Sequence, residues 1–300
     1  MGAGPIYVEI AIDAPLEAVW NATQDPAIHQ TWDLRFSRIE YLPRAGPDAP
    51  QLFRYATRLG FGLSIEGRGE STGSLAKNGE RTSALRFWSE DRKSLIREGS
   101  GYWKYVPSGK GTVFLTRYDY ATRFGAAGAL FDRLVFRPLI GWATAWSFDR
   151  LRLVLESGST TQLLVTASMA RCANRLSLAL VWIYQGLVPK LLYPDSGELE
   201  ILRGSGAFRG HEEHVLAAVG WGEIALGIAL LVWARSTRLV WLVIVALVAL
   251  LASGAAIRPA LLVAPFNPPS LTIAMLGLAS AELLLARIEL PSASRCKRRP

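Results

Sequence analysis

The chain has 300 residues, half of them hydrophobic, and 33 Lys and Arg against 25 Asp and Glu give it a formal net charge of +8. That length accommodates two units of ordinary domain size, and the apolar share is higher than a wholly soluble chain carries. Two cysteines, Cys172 and Cys296, exclude a disulfide framework, and the basic excess comes without a helix-turn-helix, zinc or aromatic-basic RNA signature, so nucleic acid is not an expected partner.

The opening residues MGAGPIYVEIAIDAP lack a positive stretch followed by a long apolar one, so no cleavable secretory signal is expected. Alternation in 6–12 (IYVEIAI) predicts a first strand, and Asp13-Ala14-Pro15-Leu16-Glu17 reads as a helix start, with short helices over 16–23 and 25–32. Strand-like stretches at 36–42, 52–59, 63–70, 83–89, 95–106 and 112–121, separated mostly by Gly, Pro, Asn or Ser, predict an antiparallel meander of about six strands. A helical pattern over 130–155 closes this half, and Pro138 either bends it or marks its true start.

The order of strand, two short helices, antiparallel strands and one long helix, with the stretch VEIAIDAPLEAVWNATQDPAIHQTWD, resembles the START-like (SRPBCC) polyketide cyclase and lipid-transport superfamily. The resemblance implies an α+β helix-grip fold, an antiparallel sheet wrapped on a long C-terminal helix, over residues 1–158. It fixes no single function, because that superfamily includes carriers, sensors and enzymes. This stretch is predicted to fold as a separable soluble domain, followed by a linker over 159–174.

The second half alternates apolar blocks with charged punctuation. Residues 239–257 carry no charge and lie between Arg238 and Arg258, the length of a helix that crosses a bilayer. Residues 215–234 form a second span with Glu223 near its middle, 271–286 a third with Glu282 near its end, and 176–192 a fourth that contains Gln185, Pro189 and Lys190, with three spans plus a re-entrant segment as the alternative. Arg171 and Arg175, Arg235 and Arg238, and the basic tail over 289–300 fall on one side of a four-span arrangement, which predicts a multi-pass cell-membrane protein with its N-terminal domain and C-terminus in the cytoplasm. The blocks LVWIYQGLVPKLLYPD, GWGEIALGIALL and APFNPPSLTIAMLGLASAELLLA resemble the DoxX-like family, which implies an all-α transmembrane four-helix bundle over 175–288 related by name to quinone-linked proteins.

A helix-grip domain holds a cavity between sheet and last helix, and Trp32, Phe53, Phe87, Tyr102, Trp103, Tyr118, Trp142 and Trp146 are the candidates to line it. An aromatic lining suits an apolar or lipid-like ligand. His29 and Asp33, with Arg54, Glu66, Arg68, Arg86, Glu98, Arg117 and Asp119, are polar candidates expected mostly on a solvated face. No Cys-His pair or Ser-His-Asp triad is legible, and the sequence names no catalytic residue and no cofactor. In the membrane half the polar candidates are Glu223, expected to face the bundle interior, Lys190 and Gln185 as its possible partners, and Asn267 in the Pro265 to Pro269 loop. His211-Glu212-Glu213-His214 has two potential ligands without a third and lacks the four-residue histidine spacing of a zinc protease, so no metal site is assigned. The expected partners are membrane lipids, a hydrophobic small molecule, and a second copy through the membrane domain. Three classes of function stay open: a membrane-anchored binding protein, a membrane enzyme with cyclase-like or quinone-linked chemistry in the cavity or at an intramembrane Glu, and a non-catalytic assembly or regulatory protein.

Overall fold

The computed structural model describes residues 4–46, 49–60, 62–263, 265 and 267–299. One unit is formed by Met1–Val165 together with Leu290–Pro300, and the other by Thr166–Glu289.

In the first unit β1 (Ile6–Ile12) leads into α1 (Leu16–Gln24) and α2 (Pro26–Trp32). The carboxylate of Asp25 accepts from the amides of Ala27 and Ile28, and Pro26 occupies the first turn, where its missing N–H costs nothing. Six strands follow: β2 (Arg38–Tyr41), β3 (Leu52–Gly60), β4 (Leu63–Lys77), β5 (Glu80–Trp88), β6 (Ile96–Ser108) and β7 (Gly111–Thr122). They pair in order, and β1 closes on β7 with Ile6 opposite Tyr118 and Ile12 opposite Thr112. Then come α3 (Gly125–Phe131), one wide π turn over Asp132–Phe136, and α4 (Arg137–Ser157). Pro138 lies in the first turn of α4, so it marks a start; it cannot donate to the carbonyl four residues back, and the turn before it widens.

Every second residue of β1 and β7 points at α4 and is buried: Ile6, Val8, Ile10 and Ile12 on one strand, Phe114, Thr116, Tyr118 and Tyr120 on the other. Phe114 stacks on Phe148 of α4 at 4.4 Å and on Tyr105 at 5.0 Å, and Trp32 closes the core with its indole N–H donated to Ala22 O at 2.8 Å. This is a helix-grip fold.

The chain end differs from expectation. The stretch over 289–300 is not a separate basic tail: Ala293 and Cys296 pack into the first unit's core, and β8 (Lys297–Arg299) pairs antiparallel with β1 as an eighth strand. The Ser292 amide donates to Asp149 Oδ2 at 2.8 Å, and the Cys296 thiol donates to Ala145 O at 3.2 Å. A three-residue strand is too short to show a period, so its basic residues read from sequence as a solvated tail. The expected linker is also absent as such, because after three residues the chain enters the helix α5 (Thr161–Gly186).

In the second unit α5 ends in a π turn over Leu187–Leu192, where Pro189 removes a donor. It is followed by α6 (Glu198–Ser205), α7 (Glu212–Val232), α8 (Thr237–Ile257) and α9 (Pro268–Leu285). The last three are long and apolar enough to cross a membrane. α5 carries Arg171, Asn174 and Arg175, which lower its hydropathy, yet its second half shares a core with them through Leu178, Ala179, Trp182, Leu230, Val243 and Met275. Glycines let α5 and α7 approach backbone to backbone: a Cβ on Gly227 would stand 2.8 Å from Ala179 O, and one on Gly186 2.3 Å from Gly220 O.

Candidate functional site

The inner face of the sheet changes character along its width. Beneath α4, β1 and β7 are sealed, but on β3 and β5 the inward side chains Phe53, Tyr55, Leu85 and Phe87 are only half-buried. Register explains the opening, since these aromatics face glycines on the neighbouring strand: Phe53 opposite Gly69, Tyr55 opposite Gly67, and Phe87 opposite Gly99. The rings lie down on those glycines, so closely that an added Cβ would meet them at 2.3, 2.2 and 2.4 Å respectively. A ring lying flat fills less height than one standing up. The result is a half-exposed aromatic floor, the cleft floor of the grip, continued by Tyr41 at 6.3 Å from Phe53 and Phe36 at 5.6 Å from Tyr55. Burial pushes the Tyr55 hydroxyl up to about 12, so it stays a neutral donor.

A buried polar group adjoins this floor. Asp33 accepts from Arg35 Nη2 at 2.6 Å and Nε at 2.9 Å, and lies 3.0 Å from His29 Nε2. The Arg35 guanidinium sits 5.4 Å from the Phe36 ring centre and 5.7 Å from that of Tyr118, whose hydroxyl meets Thr144 Oγ1 at 2.9 Å. Burial opposes charge on Asp33, but the attraction of Arg35, with His29, outweighs it and holds the carboxyl well below the usual range. His29 is boxed by Trp32, Phe36 and Trp103 at 4.9, 5.3 and 5.0 Å, and burial lowers its pKa against the pull of Asp33. Nearby, burial lowers Arg150 to about 10 despite the attraction of Asp33; its Nη2 donates to Thr161 O at 3.1 Å, while its Nε has no partner.

The two shifts act in the same direction with pH. A histidine kept neutral in the fold but protonated below about 6.5 when unfolded means that the unfolded chain binds more protons, so stability falls as pH drops through that value. The depressed Asp33 adds a loss that begins only below about 4, where the unfolded carboxyl protonates. The melting temperature of the first unit is therefore expected to fall between pH 7 and 5, and His29→Gln to flatten that dependence. The contribution is at most about 1.4 kcal/mol per pH unit for one proton. An identical slope in wild type and variant, by calorimetry, would assign the dependence to other groups.

Of the residues expected to line the cavity, Phe53 and Phe87 lie on the cleft floor, Tyr118 joins the buried polar group, and Trp32 and Trp103 are core. Tyr102 faces away. It precedes an inward Trp103 and so points from the outer side of the sheet. Trp142 and Trp146 stack on one another along α4 at 6.4 Å, with Trp142 exposed. His29 and Asp33 are buried, not solvated; their i, i+4 spacing across the end of α2 was the available signal, and Arg35 had none. An open groove of about 610 Å³ is lined mainly by outward-pointing Glu70, Arg86, Trp88, Glu98, Ser100 and Asp119, four of them charged.

In the second unit Lys190 Nζ lies 2.9 Å from Glu223 and 2.8 Å from Glu198, and donates to Gln185 O at 3.2 Å. Gln185 therefore contributes its backbone. Asn267 caps α9, its side-chain oxygen accepting from the Ser270 amide at 3.0 Å, while Phe266 in the same loop lies outside the described residues. Glu282, on α9, is wholly buried and accepts from Arg175 Nε at 2.7 Å and Arg171 Nε at 2.9 Å. Arg175 also reaches Leu230 O and Ser236 O, so the middle of α5, the end of α7, the start of α8 and the end of α9 meet at one end of the bundle. At the other end Arg258 meets Glu200 at 3.4 Å.

The first unit is thus a helix-grip domain and the second a membrane unit, of which residues 179–280 match a model of the DoxX-like family. The chain is 48% identical over 184 residues to the uncharacterised membrane protein YndG of Bacillus subtilis strain 168, over 61% of this chain and 68% of that one, and it belongs to the same family of membrane proteins. Among solved structures it is similar to TTHA0849 from Thermus thermophilus, at 19% identity and TM-score 0.39 over 52% of this chain and 99% of that one. It is also similar to the Zhui aromatase/cyclase from Streptomyces sp. R1128, at 16% identity and TM-score 0.38 over 52% and 98%. A START superfamily protein from Mycobacterium smegmatis matches at 13% identity and TM-score 0.39 over 52% and 100%.

Proposed function

We propose that the protein is a membrane-anchored binding protein whose first unit holds a hydrophobic small molecule or lipid on the aromatic floor of β3 to β5. The observation that carries this reading is the set of rings lying on inward glycines, which leaves apolar surface half-exposed inside the grip, where a filled core would bury it. Asp33 already neutralises Arg35, so the site does not demand an anionic guest.

The reading includes four membrane crossings with the first unit and the chain end in the cytoplasm. Two features support it. α5 runs between the Arg175 end and the Lys190 end of the bundle, and β8 joins the sheet that β1 began, which fits a chain that leaves and returns to one side by an even number of crossings. Arg235 between α7 and α8, and Arg238 in the first turn of α8, fit a cytoplasmic face.

Native mass spectrometry of the full chain released from detergent tests the cleft. Wild type is expected to carry a lipid-like or apolar molecule in one-to-one ratio, and Leu85→Trp, which fills the half-buried inner face of β5, to lose it at least tenfold at unchanged melting temperature. Equal cargo in both proteins would remove the cleft as the site.

A further inference from the structure

The helical segment from α3 through the first turns of α4 is apolar on two faces. Between Phe124 and Phe148 its only charges are Asp132, Arg133 and Arg137. One face serves the core: Gly128, Asp132 and Thr144 are buried, and Phe136 and Ile140 pack on the core at the same four-residue spacing. The other face is uncovered, with Phe124, Leu130, Phe131, Leu134, Leu139 and Trp142 each between 42% and 65% exposed. The one carboxylate of the segment is used inside, since Asp132 accepts from the Tyr120 hydroxyl at 2.6 Å and from Arg137 Nε at 2.9 Å. The exposed charge left on this face is Arg133, which has no ion-pair partner among the described residues.

Phe124 is held outward by a rigid turn. Its φ of +67° lies in the left-handed region that residues with a Cβ rarely adopt. Arg123 pins the turn by donating to the carbonyls of Ser89 and Asp91, and Gly128 closes on Arg123 O so tightly that a Cβ would stand 1.8 Å from it. Strained backbone that holds an aromatic ring outside the core fits a ring with a partner elsewhere. Six large apolar side chains at about half exposure present on the order of 600 Å², the upper end of what a soluble monomer leaves uncovered.

We propose that this face docks on the surface of the bilayer, with the six apolar side chains among the acyl chains and Arg133 at the lipid phosphates. Two arguments select lipid over a protein partner. The second unit holds the chain in a membrane, so the bilayer is always within reach and even a weak contact forms at high effective concentration. The face has no exposed acid, and aliphatic and aromatic side chains edged by an arginine are the composition of helices that lie in the membrane interface. The surface is separate from the cleft and does not depend on it.

The test is a nitroxide label on the full chain in nanodiscs of phosphatidylcholine and phosphatidylglycerol. Exposed Cys172 is changed to Ser and buried Cys296 is kept. Labels are placed through Leu134→Cys, Phe124→Cys and, as a water reference, Lys110→Cys, which is exposed at the opposite end of β7, roughly 35 Å away at 3.3 Å per residue. Collisions with the water-soluble complex Ni(II)–EDDA should be at least fivefold rarer at 134 and 124 than at 110, while collisions with oxygen, which concentrates in lipid, should not fall. Leu130→Glu with Leu139→Glu, both at exposed positions, should raise nickel access at 134 at least threefold. Equal nickel access at 134 and 110 would overturn the proposal, because the face then stays in water. Low access of both nickel and oxygen would overturn it as well. Protein then covers the face: a second copy if dilution with unlabelled chain restores access, the chain's own second unit if it does not.

Discussion

Glu282→Ala is expected to remove most of the protein from the membrane fraction and to lower the melting temperature of the remainder by on the order of 10 °C or more. The carboxylate is fully buried and neutralises two guanidiniums, from Arg171 and Arg175, on another helix. Without it, Arg175 is stranded as a buried charge facing only the carbonyls of Leu230 and Ser236, a loss of about 3–5 kcal/mol. Asn174, which donates to Leu278 O and Glu282 Oε2, loses part of its anchor at the same time. Glu282→Gln keeps the shape and one acceptor oxygen, so it should fall between wild type and Ala. Adding Arg171→Gln to it should recover part of the loss by removing one unpaired charge. Wild-type abundance and melting for Glu282→Ala would mean that water reaches this end of the bundle and supports both arginines without the carboxylate.

The sequence carried the architecture of the sheet more clearly than its faces. Alternation placed β1 and the meander because each apolar side chain on a half-buried strand leaves a mark every second residue. Adjacent aromatics defeat that rule. Tyr102 and Trp103 cannot both face inward, and only the pairing of Trp103 with Thr116 decides between them. The cleft itself had a local trace in Gly67 and Gly69, and in Gly99 and Gly101, spaced by two on strands, but what they make room for depends on Phe53, Tyr55, Phe87 and Tyr118 one strand away. Long-range ion pairs left no trace at all. Arg171 and Arg175 read as flanking membrane charges and Glu282 as a carboxylate near a helix end, because their contact spans more than a hundred residues. Lys190 and Glu223 were easier, since each is costly alone in an apolar segment and invites a partner.

A chain that ends at Glu289 should keep its membrane unit but lose much of the stability of the first. That truncation removes β8 from the edge of β1, the amide of Ser292 from Asp149, and the buried Ala293 and Cys296 from the core. Burial pushes the Cys296 thiol up to about 12, so it is an inert core group and its loss is one of packing. Asp149 then retains Arg152 at 2.7 Å but loses its second partner inside the protein. The lost contacts together amount to a few kcal/mol, a large share of what a domain of this size has in reserve. For the same reason residues 1–158 alone form an incomplete sheet, and the first unit is completed by a segment that follows the second unit in the chain. Hydrogen exchange on the full and truncated proteins in detergent reads the effect directly: amides of β1 should lose at least tenfold protection on truncation, while those of α7 and α8 should not change. A synthetic peptide of residues 290–300 supplied in excess should restore the protection, whereas Cys296→Ala, which removes only the thiol, should cost far less than the truncation. Unchanged β1 protection after truncation would show that the edge pairing of β8 does not hold the sheet and that residues 1–165 are sufficient for the grip.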